Sequence, residues 1–458
     1  MNASDLRRGL ALAATAAPLG CGALVARALA AHHPPALAAD FRQPLVVATN
    51  WGGYGTAAFA LLGACIALAA ALLACAVARL RARAGPGDGS AIVLAAAVGL
   101  AGAAAWPIVF SSDVYAYAAY GDLALRGFDP YLPQPEHVHD ALLDAARWQW
   151  SGGFPVDVYG PAMLAISRAI VAATGNAAVA PALGAFRGAA AVAFLASVSC
   201  AYAALAEFPA ERRFVATCAY ALNPVVLWSV AEGHNDAFVL LIAAVAALAA
   251  ARGLAPLGGL LVGLSPVLKA PGLLLAAGYA LDAVAPHRRL NARATLVATL
   301  AASVVAAAIA LPPLLPALRH IEGHGRYTPS SSLQGLVGMG PAFALALAAG
   351  AYGLVQLLRG DRRGHAWLGI ALFCGLPNVY PWYALWLVPW SIAAGSGSAA
   401  IALWLATIFA VVRYLPDASG MFDGGLGRLV AAVAVAPLAI ALADILPRTE
   451  RKKVPARS

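Results

Sequence analysis

Apolar runs long enough to cross a bilayer recur along the whole 458-residue chain, and shorter polar segments separate them. A run of about 18 or more apolar residues spans a bilayer as a helix. The pattern therefore predicts an all-α, polytopic integral membrane protein with about 12 to 14 transmembrane helices. No polar segment has the length of an ordinary soluble domain, so we interpret residues 1–458 as a single integral membrane domain.

Arginine clusters in alternate polar segments predict how the helices are oriented. The clusters lie at residues 7–8, 79–83, 212–213, 288–293, 359–363 and 448–457. By the positive-inside rule these segments face the cytoplasm. Both termini are then cytoplasmic, including the basic tail at residues 447–458. The formal net charge of +9 follows from this bias, and we expect no nucleic-acid partner.

The polar segments between the arginine clusters are predicted to lie on the outer face. The longest is residues 111–160, which is rich in acids, aromatics and prolines. Residues 159–175 are apolar but short for a span, and they include Arg168. Counting them as a crossing would place Arg212 and Arg213 outside. We therefore expect a re-entrant helix, or one that lies along the outer face.

The first apolar segment has two interpretations. Residues 7–31 have a basic start, an apolar stretch and an ARALA ending, as in a cleavable signal peptide. The same features fit a first membrane helix that is retained. Either way the chain emerges outside near residue 32, so the predicted topology of the later segments is unchanged.

Composition argues against metal or disulfide chemistry. The chain is 62% hydrophobic and 11% charged. All of the cysteines lie in apolar runs and none forms a C-x-x-C pair: Cys21, Cys65, Cys75, Cys200, Cys218 and Cys374. We interpret them as small buried hydrophobic residues. No metal and no cofactor is predicted.

The stretch SSDVYAYAAYGDLALRGFDPYLP (111–133) places an acid at a helix start next to a predicted span. Asp113, Tyr117 and Tyr120 share one helix face, at positions i, i+4 and i+7. Gly127 fits the end of the helix. A carboxylate that is partly desolvated at the membrane boundary suits a general base. The alternative is a helix-start acid beside tyrosines of an interfacial aromatic belt.

A second polar stretch, EGHND (232–236), interrupts two long apolar runs. Polar side chains at a membrane edge are costly unless they are used, which favours a site containing His234, Asn235 and Asp236. The alternative is the tight turn of a helical hairpin, since Gly and Asn favour turns. His234 and Asp236 are too few to argue for a metal site.

Two cations are candidates for binding a phosphate. Lys269 lies between Pro266 and Pro271 in an apolar run, where an ammonium needs a partner or must snorkel to the interface. Arg326, beside Tyr327, lies in a polar loop rich in Ser and Gly. Arginine suits phosphate or sugar recognition, although the stretch taken alone favours an ordinary solvated loop.

Aromatic residues crowd the predicted outer end of one late helix. They are Tyr380, Trp382, Tyr383, Trp386 and Trp390 in the stretch PNVYPWYALWLVPW (377–390). Such rings stack on sugars, and they also form the aromatic belt at membrane interfaces. The stretch alone leaves both interpretations open.

Taken together, these stretches resemble the GT-C-type membrane glycosyltransferases, and within them the bacterial polyprenol-phosphate-mannose-dependent α-mannosyltransferases. Six motifs carry the resemblance, in the order of that family. They are DVYAYAAYG (113–121), GFDPY (127–131), NPVVL (223–227), GHND (233–236), LKAP (268–271) and PWYALW (381–386). The run EHVHD (136–140) is not part of this pattern.

The resemblance implies a GT-C-like fold with juxtamembrane helices on the outer face. It implies a multi-pass protein of the bacterial inner membrane whose active site faces the periplasm or exterior. The donor would be a sugar, mannose, linked to polyprenyl phosphate, and the acceptor a glycan or lipid. The acid that is catalytic in the family corresponds to Asp113, and the family's lysine near the lipid phosphate corresponds to Lys269.

The resulting hypothesis is an inverting transfer in which Asp113 is the general base. Lys269 and Arg326 would bind the donor phosphate and stabilise its charge as it departs. Residues proposed to bind sugar or acceptor are Tyr117, Tyr120, His234, Asn235, Asp236, Trp382 and Tyr383.

Two other functions are compatible with these sequence features. One is a lipid-linked sugar flippase or transporter without transferase activity, and the other is a non-catalytic membrane scaffold. A flippase predicts polar residues at mid-membrane along the bundle interior. In this sequence such residues collect at the predicted outer edge instead.

Overall fold

The computed structural model describes residues 3–31, 52–85, 87–106, 113–134, 137–149, 155–175, 179–284, 291–323, 331–415 and 424–445. Over these residues the chain folds into helices joined by turns, and they contain no strands. The protein is thus an all-α, polytopic membrane protein, as predicted.

The first half of the chain forms ten α-helices over the ranges just given. They are α1 (Ala3–Ala13), α2 (Ala17–Ala31), α3 (Gly52–Leu80), α4 (Asp88–Ala104), α5 (Asp113–Leu125), α6 (Ala141–Gln149), α7 (Pro161–Thr174), α8 (Val179–Ala204), α9 (Ala210–Ala221) and α10 (Pro224–Ala231).

The second half of the chain adds ten more within its described ranges. They are α11 (Asp236–Ala251), α12 (Ala255–Leu264), α13 (Gly272–Val284), α14 (Ala292–Gly323), α15 (Leu333–Val337), α16 (Met339–Leu358), α17 (Gly364–Gly375), α18 (Ala384–Ala394), α19 (Ser398–Phe409) and α20 (Gly424–Val435). Short 3₁₀ segments extend several of them, including Ser265–Val267 and Pro381–Tyr383.

Six segments of the described chain are long and apolar enough to cross a membrane. They are Ser4–Ala26, Thr56–Arg83, Val179–Ala204, Ala292–Ala317, Met339–Leu358 and Gly425–Asp444. The pair α9 and α10, bent by 45°, makes a seventh if it is one span. Other apolar helices, among them α4, α11 and α17, are between 10 and 17 residues long. The predicted number of 12 to 14 spans stays a prediction.

The N-terminal helices pack inside the bundle. Leu12 and Leu19 are fully buried in the largest hydrophobic cluster. The indole of Trp106, beyond the end of α4, donates a hydrogen bond of 2.7 Å to the carbonyl oxygen of Leu19. Arg8 forms an ion pair with the buried Asp88 at the start of α4. These contacts join the first helical segment to α4.

Three short helices, α5, α6 and α7, form a lobe against the start of α8. Their shared cluster buries Val114, Leu143, Met163 and Phe186. Helix α5 ends as predicted, because Gly127 adopts the left-handed conformation (φ +82°) that favours glycine. Helix α7 has 14 residues, and its predicted place along the outer face stays a prediction.

Asparagine 223 explains the NPVVL motif. Its side-chain oxygen accepts hydrogen bonds from the backbone N–H groups of Val225 (2.9 Å) and Val226 (3.2 Å), so Asn223 is the N-cap of α10. Pro224 then occupies the first helical position, where no N–H is needed. The side-chain amide of Asn223 donates to the hydroxyl of Thr407 (3.0 Å). This buried cap lies at the 45° bend between α9 and α10.

Candidate active site

Five breaks between helices converge on one region of the fold. They are the start of α5, the segment that leads into α7, and the turn between α10 and α11. The other two are the break between α12 and α13 and the start of α18. The corresponding residues are 113, 155–160, 231–236, 265–272 and 380–386. Broken helices expose backbone and polar groups that can line a cavity. All of the motifs singled out in these stretches therefore meet.

Asp113 is the first residue of α5 and keeps 20% of its side chain exposed. The hydroxyl of Tyr159 donates to its Oδ2 across 3.5 Å. Burial raises the pKa of Asp113 to about 6, although the ammonium of Lys269 opposes this rise. A carboxylate of this pKa is ionised at neutral pH and is still basic enough to accept a proton.

His234 lies between two carboxylates. Its Nδ1 is 3.6 Å from Oδ2 of Asp113, and its Nε2 is 3.9 Å from Oε2 of Glu232. Burial lowers the pKa of His234 to about 3, so the imidazole is neutral. Its ring stacks on Trp382, with the centroids 4.7 Å apart. With 1% of its side chain exposed, His234 is placed to orient Asp113.

Lys269 is paired across the site with the GHND turn. Its Nζ donates to Oδ1 of Asn235 (2.9 Å) and to Oδ2 of Asp236 (2.8 Å). Asp236 also accepts a hydrogen bond from the indole of Trp386. Lys269 therefore has a protein partner for its charge, where the sequence alone favoured a phosphate or snorkelling.

The break in the α12–α13 pair explains how Lys269 reaches this position. The 3₁₀ turn at Ser265–Val267, which contains Pro266, and the later Pro271 interrupt the hydrogen bonding of the helix. The freed carbonyl of Leu268 accepts a hydrogen bond of 2.9 Å from the N–H of Gly160. A Cβ at Gly160 would lie 2.0 Å from the carbonyl oxygen of Val267. Only glycine lets these two segments approach so closely.

Aromatic rings form one wall of the site. The ring of Trp382 stacks on two other rings. Its centroid is 4.5 Å from that of Tyr380 and 4.7 Å from that of His234. Tyr383 stacks on Trp386 at 4.2 Å. The aromatic wall, Tyr380, Trp382, Tyr383 and Trp386, is partly exposed along its length. It thus holds His234 and Asp236 and also offers ring surface to a ligand.

The two predicted tyrosines of α5 are placed differently. Tyr117 is fully buried and its ring meets Tyr159 edge to face at 5.0 Å. Burial, and then the nearby carboxylate of Asp113, raise the pKa of Tyr117 well above its ordinary value. The hydroxyl of Tyr120 instead donates to the carbonyl oxygens of Pro155 and Val156. Tyr120 therefore anchors the segment that carries Tyr159.

Several residues of the site were not assigned a role from the sequence. Tyr159, Glu232 and Trp386 contact the predicted residues directly. Arg187 donates to the last carbonyls of two helices, Ala104 of α4 and Ala231 of α10, and so fixes the turn. The sequence offered one sign that Arg187 has a role: it is an arginine within an apolar run.

Arg326 lies outside the described residues, so its predicted place beside the phosphate stays a prediction. Within the described ranges, no group of three or more His, Cys, Asp or Glu side chains is arranged to hold a metal ion.

The chain can be compared with known proteins. Residues 11–320, more than half of the chain, match the family described as "Alpha-(1->6)-mannopyranosyltransferase, N-terminal domain". The chain belongs to this family. The resemblance drawn from the six motifs is thereby confirmed at the level of the family.

One curated relative is "Alpha-(1->6)-mannopyranosyltransferase A" of Mycobacterium tuberculosis (strain ATCC 25618 / H37Rv). It is 38% identical over 72 residues, which are 16% of this chain and 14% of the relative. No solved structure matches the chain. The family match contains Asp113, His234 and Lys269 and ends before the aromatic wall.

Proposed function

We propose that the protein transfers mannose from a polyprenyl-phosphate donor to a glycan or lipid acceptor on the outer face of the bacterial inner membrane, with inversion at the anomeric carbon. Membership of the mannosyltransferase family supports the sugar and the reaction. The observation that carries the mechanism is the Asp113 carboxyl, partly exposed and backed by a neutral His234 at 3.6 Å.

In the proposed step, Asp113 accepts the proton of an acceptor hydroxyl as the oxygen attacks the anomeric carbon. The new C–O bond forms while the bond from the anomeric carbon to the phosphate oxygen breaks. The departing lipid phosphate takes that electron pair. A pKa of about 6 lets Asp113 be ionised before the step and hold the proton after it.

Lys269 can assist the departing phosphate through its charge. Its Nζ donates to Asn235 at 2.9 Å and lies 2.8 Å from both carboxylate oxygens of Asp236. A phosphate oxygen that replaces one of these contacts would be bound by the ammonium, which would stabilise its growing charge. Asp236 offsets the charge of Lys269, so a second cation is needed for strong binding, and Arg326 is our candidate.

Asn235, Asp236 and His234 position the catalytic groups in this mechanism. Trp382 is covered by Tyr380 on one side and His234 on the other, so it stiffens the wall. Tyr383 and Trp386 offer the neighbouring ring surface for the sugar. Tyr117 is buried next to Asp113 and packs against the ring of Tyr159.

The test uses the purified full-length protein with polyprenyl-phosphate-mannose and an acceptor added together in detergent. Asp113→Asn should abolish transfer, and Asp144→Asn, an exposed acid on α6 of the same lobe, should retain it. NMR of the product reports the anomeric configuration. Near wild-type transfer by Asp113→Asn would refute the base. Lack of transfer by the wild type in this assay would favour the flippase interpretation.

A further inference from the structure

A cavity lies outside the candidate active site. It has a volume of about 250 Å³ and lies between α8, α9, α11, α12, α13, α17 and α18. Most of its lining is apolar, and examples are Leu240, Ala244, Val262 and Leu275. Cavities that hold a whole drug-sized ligand occupy about 300–1,000 Å³. This one suits a segment of a hydrocarbon chain.

The cavity follows the helices from the candidate site toward their other ends. Trp390, which lines it, is one turn beyond Trp386 on α18, and Ala243 is two turns beyond Asp236 on α11. Arg212, near the start of α9, is separated from the end of α10 by 19 residues of nearly continuous helix. At 1.5 Å per residue this is about 28 Å along the bent pair.

The remote end of this cavity opens into an arginine-lined annex. The annex, of about 50 Å³, is lined by Arg212, Arg213 and Arg362, and it shares Phe208 and Ile392 with the main cavity. The guanidinium groups of Arg212 and Arg362 lie 4.5 and 4.9 Å from the centroid of the Phe208 ring. Two cations held at one ring form a basic pocket at the end of an apolar cavity.

Polar groups of the lining indicate that a ligand is to be recognised there. Arg212 makes no hydrogen bond or ion pair to any described residue. The indole N–H of Trp390, a residue that is 9% exposed, also has no hydrogen-bond partner in the described part of the chain. The carboxyl in the lining, Asp282, is 3.2 Å from Nε2 of His365. Two residues that line the cavity or its annex therefore carry donors without a described partner.

We propose that this cavity binds an anionic glycerophospholipid, with an acyl chain in the apolar part and the phosphate at Arg212 and Arg362. Basic pockets between transmembrane helices bind anionic headgroups in this way. The donor phosphate is not the group bound here, because under the proposed function it must lie beside Asp113, at the other end of α9 and α10 and about 28 Å away along them. Only this exclusion of the donor rests on the proposed sugar transfer; the lipid site itself does not.

The test is a binding titration with phosphatidylglycerol that carries brominated acyl chains, added to the purified full-length protein in detergent. Bromine quenches nearby indoles, and Trp390 is one of ten tryptophans. We expect a saturable loss of fluorescence that Trp390→Phe removes. Arg212→Ala should raise the half-saturation concentration at least tenfold. Arg252→Ala, an exposed arginine outside the cavity, should leave it unchanged.

Filling the cavity tests the acyl chain separately from the charge. Ala247 lines the cavity and Ala250, one turn along the same helix, does not. Ala247→Leu should abolish saturable quenching, and Ala250→Leu should retain it. Size-exclusion chromatography checks that each variant is folded, and a variant that fails this check is replaced by Ala243→Leu.

Several outcomes would overturn the proposal. They are equal half-saturation for Arg212→Ala and Arg252→Ala, equal binding of brominated phosphatidylcholine, and unchanged quenching in Ala247→Leu. Displacement of the lipid by millimolar inorganic phosphate would show a free-anion site and would also overturn it.

Discussion

The Nζ of Lys269 lies 2.8 Å from the carboxylate of Asp236, and both side chains are buried. This pair joins the break between α12 and α13 to the start of α11. Because each charge is removed from water, the loss of either partner leaves the other uncompensated. The stability of the site therefore depends on the two residues together.

Removing one partner of this buried pair should destabilise the fold strongly. Lys269→Met or Asp236→Asn should each lower the free energy of unfolding by about 3–5 kcal/mol. The double variant should recover much of that loss, because no buried charge is left unpaired. Denaturant unfolding in detergent measures all three.

The exposed pair of Arg81 and Glu211 is the matched control, since both side chains are more than half exposed. Arg81→Met should cost no more than about 1 kcal/mol. The coupling would be contradicted if the loss in free energy of unfolding of the double variant equals the sum of the losses of the single variants at Lys269 and Asp236.

The kcat/KM for sugar transfer should fall at low pH as Asp113 becomes protonated, and this fall is the acid limb of the pH-rate profile. The general base must be ionised, and burial raises its pKa to about 6. The kcat/KM is therefore expected to be level above pH 7 and to fall about tenfold per pH unit below pH 6. His234, with its pKa lowered to about 3, adds no limb near neutrality. A pH-rate profile that is flat from pH 5 to 8 would contradict this assignment.

The hydroxyl of Tyr159 should influence the pH at which kcat/KM begins to fall. It donates to Asp113 and so favours the ionised carboxylate. Tyr159→Phe is expected to move the acid limb to higher pH by a fraction of a pH unit. Tyr120→Phe should leave the limb in place and lower stability by about 0.5–1.5 kcal/mol, because its hydroxyl donates to the backbone carbonyls of Pro155 and Val156. Equal shifts in both variants would rule out a specific role for Tyr159.

Asp113→Asn should be inactive and yet more stable at neutral pH. A carboxyl whose pKa rises from 3.8 to about 6 costs the folded state about 3 kcal/mol above pH 7. Between pH 4 and 6 the folded protein binds more protons than the unfolded chain, so wild-type stability falls as pH rises through this window. The asparagine variant should lose the part of this dependence that Asp113 contributes, and the part from Asp157, whose pKa burial raises to about 8, should remain. Unfolding measured at pH 4.5 and pH 8 provides the check.

Gly160 should tolerate no side chain. A Cβ there would meet the carbonyl of Val267 at 2.0 Å, so Gly160→Ala must separate the Tyr159 segment from the break that carries Lys269. We expect a loss of at least tenfold in kcat/KM. Gly184→Ala is the control, because that helical glycine has open space around it and the change should be neutral or stabilising. Wild-type activity in Gly160→Ala would show that this approach is not required.

The sequence predicted those features that depend on neighbouring residues. The helix that begins at Asp113 and its end at Gly127 follow from local capping and turn preferences, and both are observed. The need of Lys269 for a partner also followed from its apolar surroundings. Local patterns carry this information because each depends on a few consecutive residues.

The partners themselves could not be predicted. Lys269 pairs with Asp236, 33 residues away, and Tyr159 reaches Asp113 across 46 residues. Such pairs are set by how helices pack, and helical periodicity says only which face is buried. The indole of Trp386 donates to Asp236 across 150 residues of sequence.

The end of the family match at residue 320 divides the candidate site between two stretches of chain. Asp113, His234 and Lys269 lie before it, and the aromatic wall lies after it. Groups proposed to move protons and stabilise charge are thus separate in sequence from the rings proposed to face a sugar. If those rings select the substrate as proposed, exchanging residues 377–390 between relatives should change acceptor or donor choice without rebuilding the reactive centre.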